Sequence, residues 1–331
     1  MTPHIVVNDL RKVYRVPERE AGLGAAIGSL FRRHYQDVLA VDTINFAVQP
    51  GEMVGLIGPN GAGKTTTLKM LCGLLHPTSG EARVAGCVPW QREHAYLRRI
   101  SMVLGNKSQM LWDIPPLDSF RVLSEIYGVP PVEFQQTRDE LIELLDMQEI
   151  IHKPVRNLSL GERMKCELVA GLLHRPAVLF LDEPTLGLDV SMQLRLRRFL
   201  ADYNQRHGVT MILTSHYMAD VMALCPRVIL IHHGRLLYDG ELIGLAQRLA
   251  PFKLVRVTLR NENGQAFQVD GLPSDVEITE RSPNQLTLRV NRSDAPAITA
   301  QLLQTLPVID LVVEDPPIEA VIDQIYREGD I

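Results

Sequence analysis

The amino-acid sequence predicts an α/β core followed by a small α+β domain, and three observations support this fold class. A glycine-rich loop at residues 58–65 lies between an apolar run typical of a buried strand and a segment with helical spacing. The run at residues 177–181 is apolar throughout, which is typical of a parallel strand covered on both faces, and residues 209–213 are interpreted as a further buried strand. After about Leu249 the pattern changes to alternating strands and two helices, so we expect a second domain there.

Length and composition limit the classes of protein to consider. The chain has 331 residues, more than one domain usually holds, and its 46% hydrophobic residues are enough for a full core. The formal net charge of −5 argues against nucleic acid as a partner. Four scattered cysteines without a C-x-x-C pair indicate a reducing compartment and no zinc site. The sequence shows no signal peptide and no apolar run near the ~20 residues of a membrane helix, so we expect another chain to cross any membrane involved.

The glycine-rich loop, GPNGAGKT, fits the phosphate-binding pattern G-x-x-x-x-G-K-[ST] and has the strand and helix that this pattern requires on its flanks. Its glycines let the backbone approach an anion, which the amide N–H groups and the helix dipole attract. Lys64 supplies a point charge for the outer phosphates, and the Thr65 hydroxyl is a ligand for Mg²⁺. The alternative is a glycine-rich turn without a ligand. The residues expected to bind nucleotide here are Gly58, Pro59, Asn60, Gly61, Ala62, Gly63, Lys64, Thr65 and Thr66.

Polar residues follow the two buried runs directly, at the strand ends where α/β sheets place their chemistry. Asp182 and Glu183 follow the first run, and His216 comes shortly after the second. Asp182 can hold Mg²⁺ through a hard carboxylate oxygen, and Glu183 can polarise an attacking water as general base. The alternative for Glu183 is a solvated carboxylate, and for His216 a histidine satisfied by the backbone.

The remaining segments complete the predicted organisation. Residues 17–37 are interpreted as an insertion with a short amphipathic helix, which packs on the protein itself or contacts a membrane or a partner. A helix-rich segment at about 107–175 is interpreted as a subdomain inserted in the α/β core. Further strands are predicted at residues 5–7, 10–16, 39–48, 81–84 and 97–104, and further helices at 138–147 and from 189 onwards. The second domain is predicted to contain strands at 254–259, 266–269, 285–290 and 309–314 and helices at 295–306 and 318–327.

Several motifs stand in a fixed order over residues 5–240, and together they resemble the ATP-binding subunit of an ABC transporter. The resemblance is to drug, antibiotic and natural-product exporters that carry a C-terminal extension. The acidic strand end resembles the Walker B motif, Asp189 matches the D-loop, and His216 matches the switch histidine. Tyr14 resembles the aromatic residue that stacks on adenine, and its alternative is a packing role. The segment LSLGE is similar to the family's signature loop, usually LSGGQ, and consists of Leu158, Ser159, Leu160, Gly161 and Glu162.

The resemblance leaves the glutamine of the family's Q-loop open between two residues. Spacing from the preceding strand favours Asn106, whereas residue type favours Gln109, which we take as the third Mg²⁺ ligand beside Thr65 and Asp182. The resemblance also implies that a membrane subunit docks on the segment that follows, residues 110–127. The candidate contacts there are Trp112, Pro115 and Phe120, and their alternative is the core of the subdomain.

The resemblance implies an ATPase that uses ATP and Mg²⁺ and works as a dimer of identical or different ATPase subunits. Each ATP lies between the phosphate loop of one subunit and the signature loop of the other. The resemblance also implies a separately encoded membrane permease, a peripheral position at the cytoplasmic face of the cell membrane, and export, with import left open. The ATPase domain is expected at residues 1–249 and an accessory or regulatory domain at 250–331. The alternatives are a non-transport ABC ATPase and a binding module that is regulated by nucleotide but hardly hydrolyses it.

Overall fold

The computed structural model of the chain describes residues 2–17, 35–105, 107–215, 217–242, 244, 252–260, 273, 276–318 and 320–322. The predicted insertion helix, Asn106, His216, the strand expected at 266–269 and most of the terminal helix lie outside the described residues. The chain divides into two compact units, Met1–Leu242 and Ile243–Ile331.

The first unit alternates strands and helices along the chain. Its elements are β1 (Ile5–Pro17), β2 (Tyr35–Val48), β3 (Met53–Ile57), α1 (Lys64–Leu71), β4 (Ser79–Val84), α2 (His94–Leu97), β5 (Ile100–Leu104), α3 (Pro116–Tyr127), α4 (Pro131–Leu144), α5 (Leu160–Leu172), β6 (Val178–Asp182), α6 (Val190–His207), β7 (Thr210–Thr214), α7 (Met218–Leu224), β8 (Arg227–His232) and β9 (Arg235–Glu241). Among the described residues, none of the helices combines the length and the apolar character that crossing a bilayer demands.

A six-stranded sheet with the order β5-β6-β7-β3-β8-β9 forms the centre of the first unit. Neighbouring strands are parallel except β8 and β9, which pair antiparallel. Every residue of β3 and β7 is buried, as expected for strands covered on both faces. The register places Leu104, Asp182 and Thr214 side by side, so the segments that follow β5, β6 and β7 start at one edge of the sheet.

A second, antiparallel sheet has the order β2-β1-β4. Strand β2 begins at Tyr35, four residues before the start that the sequence predicted, because residues 35–38 pair with residues 14–17 of β1. Residues 35–37 fall in the predicted insertion, and residues 35–38 are all exposed, so they lack the buried face whose hydrophobic alternation signals a strand.

Three helices, α3, α4 and α5, lie between β5 and β6 in the chain, within the segment predicted to be helical. Helix α4 begins at Pro131, earlier than the predicted residue 138. The strand predicted at 97–104 is shorter in the structure, because Leu97 ends the short helix α2 and β5 begins at Ile100. Phe120 is fully buried in α3, so the core alternative holds for this residue and it is not a surface contact.

The second unit contains an antiparallel sheet and a helix. Its elements are β10 (Phe252–Leu259), β11 (Glu277–Arg281), β12 (Gln285–Asn291), α8 (Ala295–Thr305) and β13 (Val308–Glu314), with the strand order β11-β12-β10-β13. Ile298 and Leu302 of α8 form one core with Val255, Val257 and Leu288 of the sheet. The sequence did not predict β11, because all five of its residues are exposed and the strand has no buried face.

Candidate functional site

The loop at residues 58–65 joins β3 to α1 and is held by hydrogen bonds within itself and by one from the Gly234 N–H to the Ala62 carbonyl at 3.0 Å. Lys64 is 5% exposed, and its ammonium donates to the carbonyl oxygens of Gly58 at 2.6 Å and Pro59 at 3.0 Å. Gly63 has a φ of 109°, and a Cβ at this position would lie 2.5 Å from the Ala40 carbonyl oxygen. Only glycine fits this backbone without strain, so the sequence pattern and the loop conformation explain each other.

The electrostatic surroundings of Lys64 contain two opposed influences. Burial lowers the pKa of Lys64, whereas the carboxylates of Glu183 and Asp182 act to raise it. A buried cation is costly unless charges or hydrogen bonds compensate it. The loop therefore holds an ammonium group that its own carbonyls and two nearby carboxylates stabilise.

Asp182, the last residue of β6, lies beside the start of α1. The Thr65 hydroxyl donates to Asp182 Oδ1 at 3.2 Å, and the Thr214 hydroxyl of β7 donates to the same oxygen at 2.7 Å. A hydroxyl and a carboxylate that are adjacent in this way fit the oxygen ligands that Mg²⁺ takes, together with phosphate oxygens and water. In the described part of the chain, no group of three or more His, Cys, Asp or Glu side chains could hold a metal ion.

Glu183 has an uncommon backbone conformation that directs it away from the path of the strand. Its φ is 56°, and its N–H donates to the Thr214 carbonyl at 3.0 Å and to the Thr214 hydroxyl at 3.1 Å. A non-glycine residue in this region costs on the order of 1–3 kcal/mol, and such strain is concentrated at functional sites.

Two cavities adjoin the phosphate loop, and both are lined by Thr65 and Glu183. The first, of about 140 Å³, is also lined by Asp182, Lys69 and Lys107. The second, of about 150 Å³, is lined by the residues of the loop itself and by Ala40 of β2. The predicted residues that the structure brings together around these cavities are Asn60, Gly61, Ala62, Gly63, Lys64, Thr65, Thr66, Asp182 and Glu183.

Tyr14 lies on β1 at some remove from these cavities. It pairs with Val38 of β2, two residues before Ala40, which lines the second cavity. Its ring is half-buried, and the Lys12 ammonium lies 5.3 Å from the ring centroid. The structure therefore places Tyr14 on the strand next to the one that borders the site, and Tyr14 lines neither cavity.

Gln109 is not brought to the site. Its side-chain amide donates to the Met102 carbonyl at 3.2 Å, and its backbone N–H donates to the Glu167 carboxylate at 2.9 Å. Because these bonds hold Gln109 toward β5 and α5, it lines a different cavity, and Lys107 takes the place beside Asp182. Gln109 therefore does not line the cavity that Thr65 and Asp182 border, and its role as a Mg²⁺ ligand stays a prediction.

The signature-like segment begins α5, and Ser159 caps that helix. The Ser159 hydroxyl accepts from the Glu162 N–H at 3.3 Å, and the Glu162 carboxylate accepts from the Ser159 N–H at 2.8 Å. This reciprocal pair is a capping box, and the hydrogen bond from the Ser159 backbone lowers the pKa of Glu162. Ser159 lines neither of the two cavities beside the phosphate loop of its own chain.

The segment at residues 187–189 packs against the start of α5 and caps α6. A Cβ at Gly187 would lie 3.1 Å from the Leu160 side chain. The Asp189 carboxylate accepts from the Met192 N–H at 2.9 Å and from the Ser191 hydroxyl at 2.8 Å, so Asp189 caps α6. The hydrogen bond from Met192 is the main reason that the pKa of Asp189 is lowered.

A buried acid, Asp220 of α7, holds together segments next to the site, and the sequence analysis missed it. It accepts hydrogen bonds from Thr185 and, at 2.7 Å, from the Ser215 hydroxyl, and it pairs with the Arg197 guanidinium. These contacts tie together the segment after Glu183, the end of β7 and helix α6. The sequence offers no periodic signal for such a residue, because its partners lie on three different elements.

Comparison with known families identifies the chain. The model of the ABC transporter family matches residues 41–186, and that of the EvrA-like ABC transporter C-terminal domain matches residues 251–314. The chain is 32% identical over 217 residues to the ABC transporter ATP-binding protein NatA of Bacillus subtilis, with 64% of this chain and 88% of NatA covered. This chain belongs to the ATP-binding proteins of ABC transporters. It is an ABC ATPase, and the predicted family and fold class are confirmed.

Other similar proteins extend the comparison. The Nod factor export ATP-binding protein I of Burkholderia thailandensis is 37% identical, with 63% of this chain and 68% of that protein covered. The linearmycin resistance ATP-binding protein LnrL of Bacillus subtilis is 28% identical over 298 residues, with 87% and 94% covered. A solved ATP-binding subunit of an ABC transporter superposes with a TM-score of 0.61 at 23% identity, covering 75% of this ABC ATPase and 93% of that chain.

Proposed function

We propose that this ABC ATPase hydrolyses Mg²⁺-bound ATP and thereby drives export through a separately encoded membrane permease. The observation that carries the proposal is the junction of Thr65, Asp182 and Glu183 around one cavity beside the phosphate loop. These side chains come from α1 and from the end of β6, and they supply the two functions that hydrolysis needs. One is a place for a divalent cation, and the other is a carboxylate near the terminal phosphate.

Each residue at the site, in the junction and beside it, has a distinct proposed role. Lys64 exchanges its bonds to the Gly58 and Pro59 carbonyls for bonds to phosphate oxygens, which suit a buried ammonium better. Thr65 and Asp182 would hold Mg²⁺, whose charge would offset that of the phosphates. Glu183 accepts the proton of the attacking water as general base. His216, which lies outside the described residues, keeps its expected role of contacting the terminal phosphate.

Closure of the site is proposed to require a second ATPase subunit, identical or different. Ser159 lies at the N-terminus of the 13-residue helix α5 and lines neither cavity of its own chain. A helix N-terminus with a serine cap favours an anion, so the signature loop of one subunit suits the terminal phosphate held by the other. A solved neighbour is a dimeric ATP-binding cassette bound to ADP and phosphate, which is compatible with this arrangement.

The permease is proposed to dock beside α3. A cavity of about 450 Å³ is lined there by Leu74, Ile126 and Tyr127, and Ile126 is 68% exposed. Trp112, which is half-exposed, lies nearby in the chain. An open apolar cavity of this kind suits a segment of another protein. Docking there would place the chain at the cytoplasmic face of the membrane as a peripheral subunit.

Export is proposed over import because relatives of this chain are named for Nod factor export and linearmycin resistance. The second unit matches a domain described for EvrA-like ABC transporters, and we propose an accessory or regulatory role for it. A transport ATPase is also favoured over a nucleotide-regulated binding module, since Asp182 and Glu183 are both present at the site.

The proposal is tested by nucleotide binding and Mg²⁺-dependent ATP hydrolysis of the purified chain. The Lys64→Ala variant should weaken binding of a fluorescent ATP analogue at least ~10-fold, because an ammonium–phosphate contact is lost. Lys165→Ala is the matched control, since it removes an equally buried ammonium that bonds to the Asp146 carbonyl away from the loop. If the wild-type chain neither binds nor hydrolyses ATP with Mg²⁺, the proposal fails. Co-purification with a membrane permease separates transport from a non-transport ATPase.

A further inference from the structure

The loop after β5 is attached at its far end to helix α5 by one buried carboxylate. Glu167, which is 3% exposed, accepts a hydrogen bond of 2.5 Å from the Ser108 hydroxyl. Both of its carboxylate oxygens accept from the Gln109 N–H, at 2.9 and 3.0 Å. The donors to this buried acid are thus a hydroxyl and a backbone amide of the same short loop.

Burial raises the free-energy cost of breaking the hydrogen bonds to Glu167. Desolvation raises the pKa of Glu167, and the hydrogen bonds from Ser108, Gln109 and Met110 oppose that rise. A buried carboxyl group needs its donors, because a polar group without partners is costly in a dry interior. Any displacement of the loop from α5 would leave Glu167 without them, so the carboxylate selects one position of the loop.

The near end of the loop is anchored as firmly, by β6. The Gly105 N–H donates to the Asp182 carbonyl at 2.9 Å. A Cβ at Gly105 would lie only 2.1 Å from the Glu183 carbonyl oxygen, so this position requires glycine for close approach. The loop is therefore bonded to the end of β6 through Gly105 and to α5 through Glu167.

Lys107 lies between these two anchors. Its side chain lines the cavity of about 140 Å³ together with Thr65, Asp182 and Glu183. It also lines the neighbouring cavity that Glu167 and Leu160 border, so it stands between the phosphate loop and the start of α5. Lys107 is exposed and borders the same cavity as Glu183, so its ammonium group is within the region that the terminal phosphate of a nucleotide bound there would occupy.

We propose that Lys107 is a further catalytic residue that contacts the terminal phosphate, and that Glu167 is the positioning residue that holds its loop in place. The inference rests on the proposed function, since it requires ATP to bind in this cavity. A cation near the terminal phosphate stabilises the charge that shifts onto its oxygens and onto the leaving group during hydrolysis. Because Glu167 and Ser159 lie on the same helix, movement of α5 would also move Lys107.

The first test compares steady-state hydrolysis of Mg²⁺-ATP by full-length variants. Lys107→Gln should lower kcat roughly 10- to 100-fold, with the KM for ATP changed less than about 3-fold, because the charge acts mainly on the transition state. Lys107→Arg should recover most of the rate, because it keeps the charge. Lys153→Gln, the matched control, removes an exposed lysine that lines neither cavity and should leave kcat unchanged.

The second test addresses the positioning role. Glu167→Gln conserves volume but turns an amide NH₂ toward loop donors, so it should lower kcat by a factor similar to that of Lys107→Gln. The kcat of the double variant should be within about 2-fold of that of Lys107→Gln alone. Both substitutions remove the same contact, that of Lys107 with the terminal phosphate, so their effects should not add.

The outcomes separate this inference from the function on which it rests. A wild-type chain without ATPase activity overturns both. An active wild type with a Lys107→Gln variant within about 2-fold of its kcat overturns the catalytic role of Lys107 alone. If the fall in kcat of the double variant equals the product of the two single falls, the positioning role of Glu167 is overturned. The same holds if Glu167→Gln loses ATP binding rather than kcat.

Discussion

The phosphate loop and the loop that follows β5 border the same cavity, but different interactions hold them. The phosphate loop contains local bonds of its own, since Lys64 donates to carbonyls five and six residues earlier in the chain. The loop after β5 is held by Glu167, which lies 59 residues from its partner Ser108. A conformation specified by its own sequence can be recognised as a motif, whereas one specified by a distant residue cannot.

The largest effect is expected at the catalytic end of β6. Glu183→Gln removes the proposed general base and keeps its size, so ATP hydrolysis should fall by about 10²- to 10⁴-fold while ATP binding persists. A closed dimer trapped with ATP should accumulate, and size-exclusion chromatography with Mg²⁺-ATP would detect it. Glu149→Gln, at an exposed position remote in sequence, is the control. Hydrolysis at the wild-type rate in Glu183→Gln would remove Glu183 from the mechanism.

The next effect tests whether close packing against β2 constrains the phosphate loop. Gly63→Ala places a Cβ 2.5 Å from the Ala40 carbonyl at a φ of 109°, whereas Gly61→Ala, at a φ of 80°, meets nothing within 4 Å. Both substitutions carry backbone strain, but only Gly63→Ala adds a clash, so its free energy of unfolding should be lower by a further ~1–3 kcal/mol. Urea denaturation of the two variants without nucleotide measures the difference. Equal losses would show that the close approach to β2 does not constrain the loop.

The contrast between the phosphate loop and the loop after β5 also explains which parts of the structure the sequence could predict. The fold class, the strands at the centre of the sheet and the grouping of Thr65, Asp182 and Glu183 follow from local patterns, because parallel strands bring their carboxyl ends to one edge. The position of Gln109 does not follow from a local pattern. Residue type favoured Gln109 as a Mg²⁺ ligand, whereas the hydrogen bond to the Met102 carbonyl turns its side chain toward β5. The hydrogen bonds of this loop hold it in the position where Lys107 lines the cavity, and the spacing of residues in the sequence does not reveal them.

A smaller effect concerns stability in the loop after β5. Because burial raises the pKa of Glu167 in the folded protein, the folded state holds this proton more tightly than the unfolded state. The stability that Glu167 contributes is therefore greatest below its unfolded pKa of about 4.3 and declines as pH rises through its folded pKa. Chemical denaturation of wild type and Glu167→Gln across this pH range should show the wild type losing stability relative to the variant as pH increases. A difference that is constant with pH would mean that the loop donors fully compensate the burial.

The smallest effect concerns the capping box at the start of α5, where a local motif again specifies the structure. The Ser159 N–H lowers the pKa of Glu162, so its stabilising contribution is present above an unfolded pKa of about 4.3 and is lost as pH falls through the folded value. Glu162→Gln keeps an acceptor for the Ser159 N–H but carries no charge, so it should lose roughly 0.3–1 kcal/mol near pH 7 and nothing at low pH. Glu162→Ala removes the acceptor as well and should stay less stable than Glu162→Gln at every pH. The sign is opposite to that expected for Glu167, because a partly exposed carboxylate at a helix N-terminus is favoured in its charged form, whereas a buried carboxylate away from the helix end is not. Matching pH slopes for the two glutamine variants would contradict this distinction between a locally specified contact and a distant one.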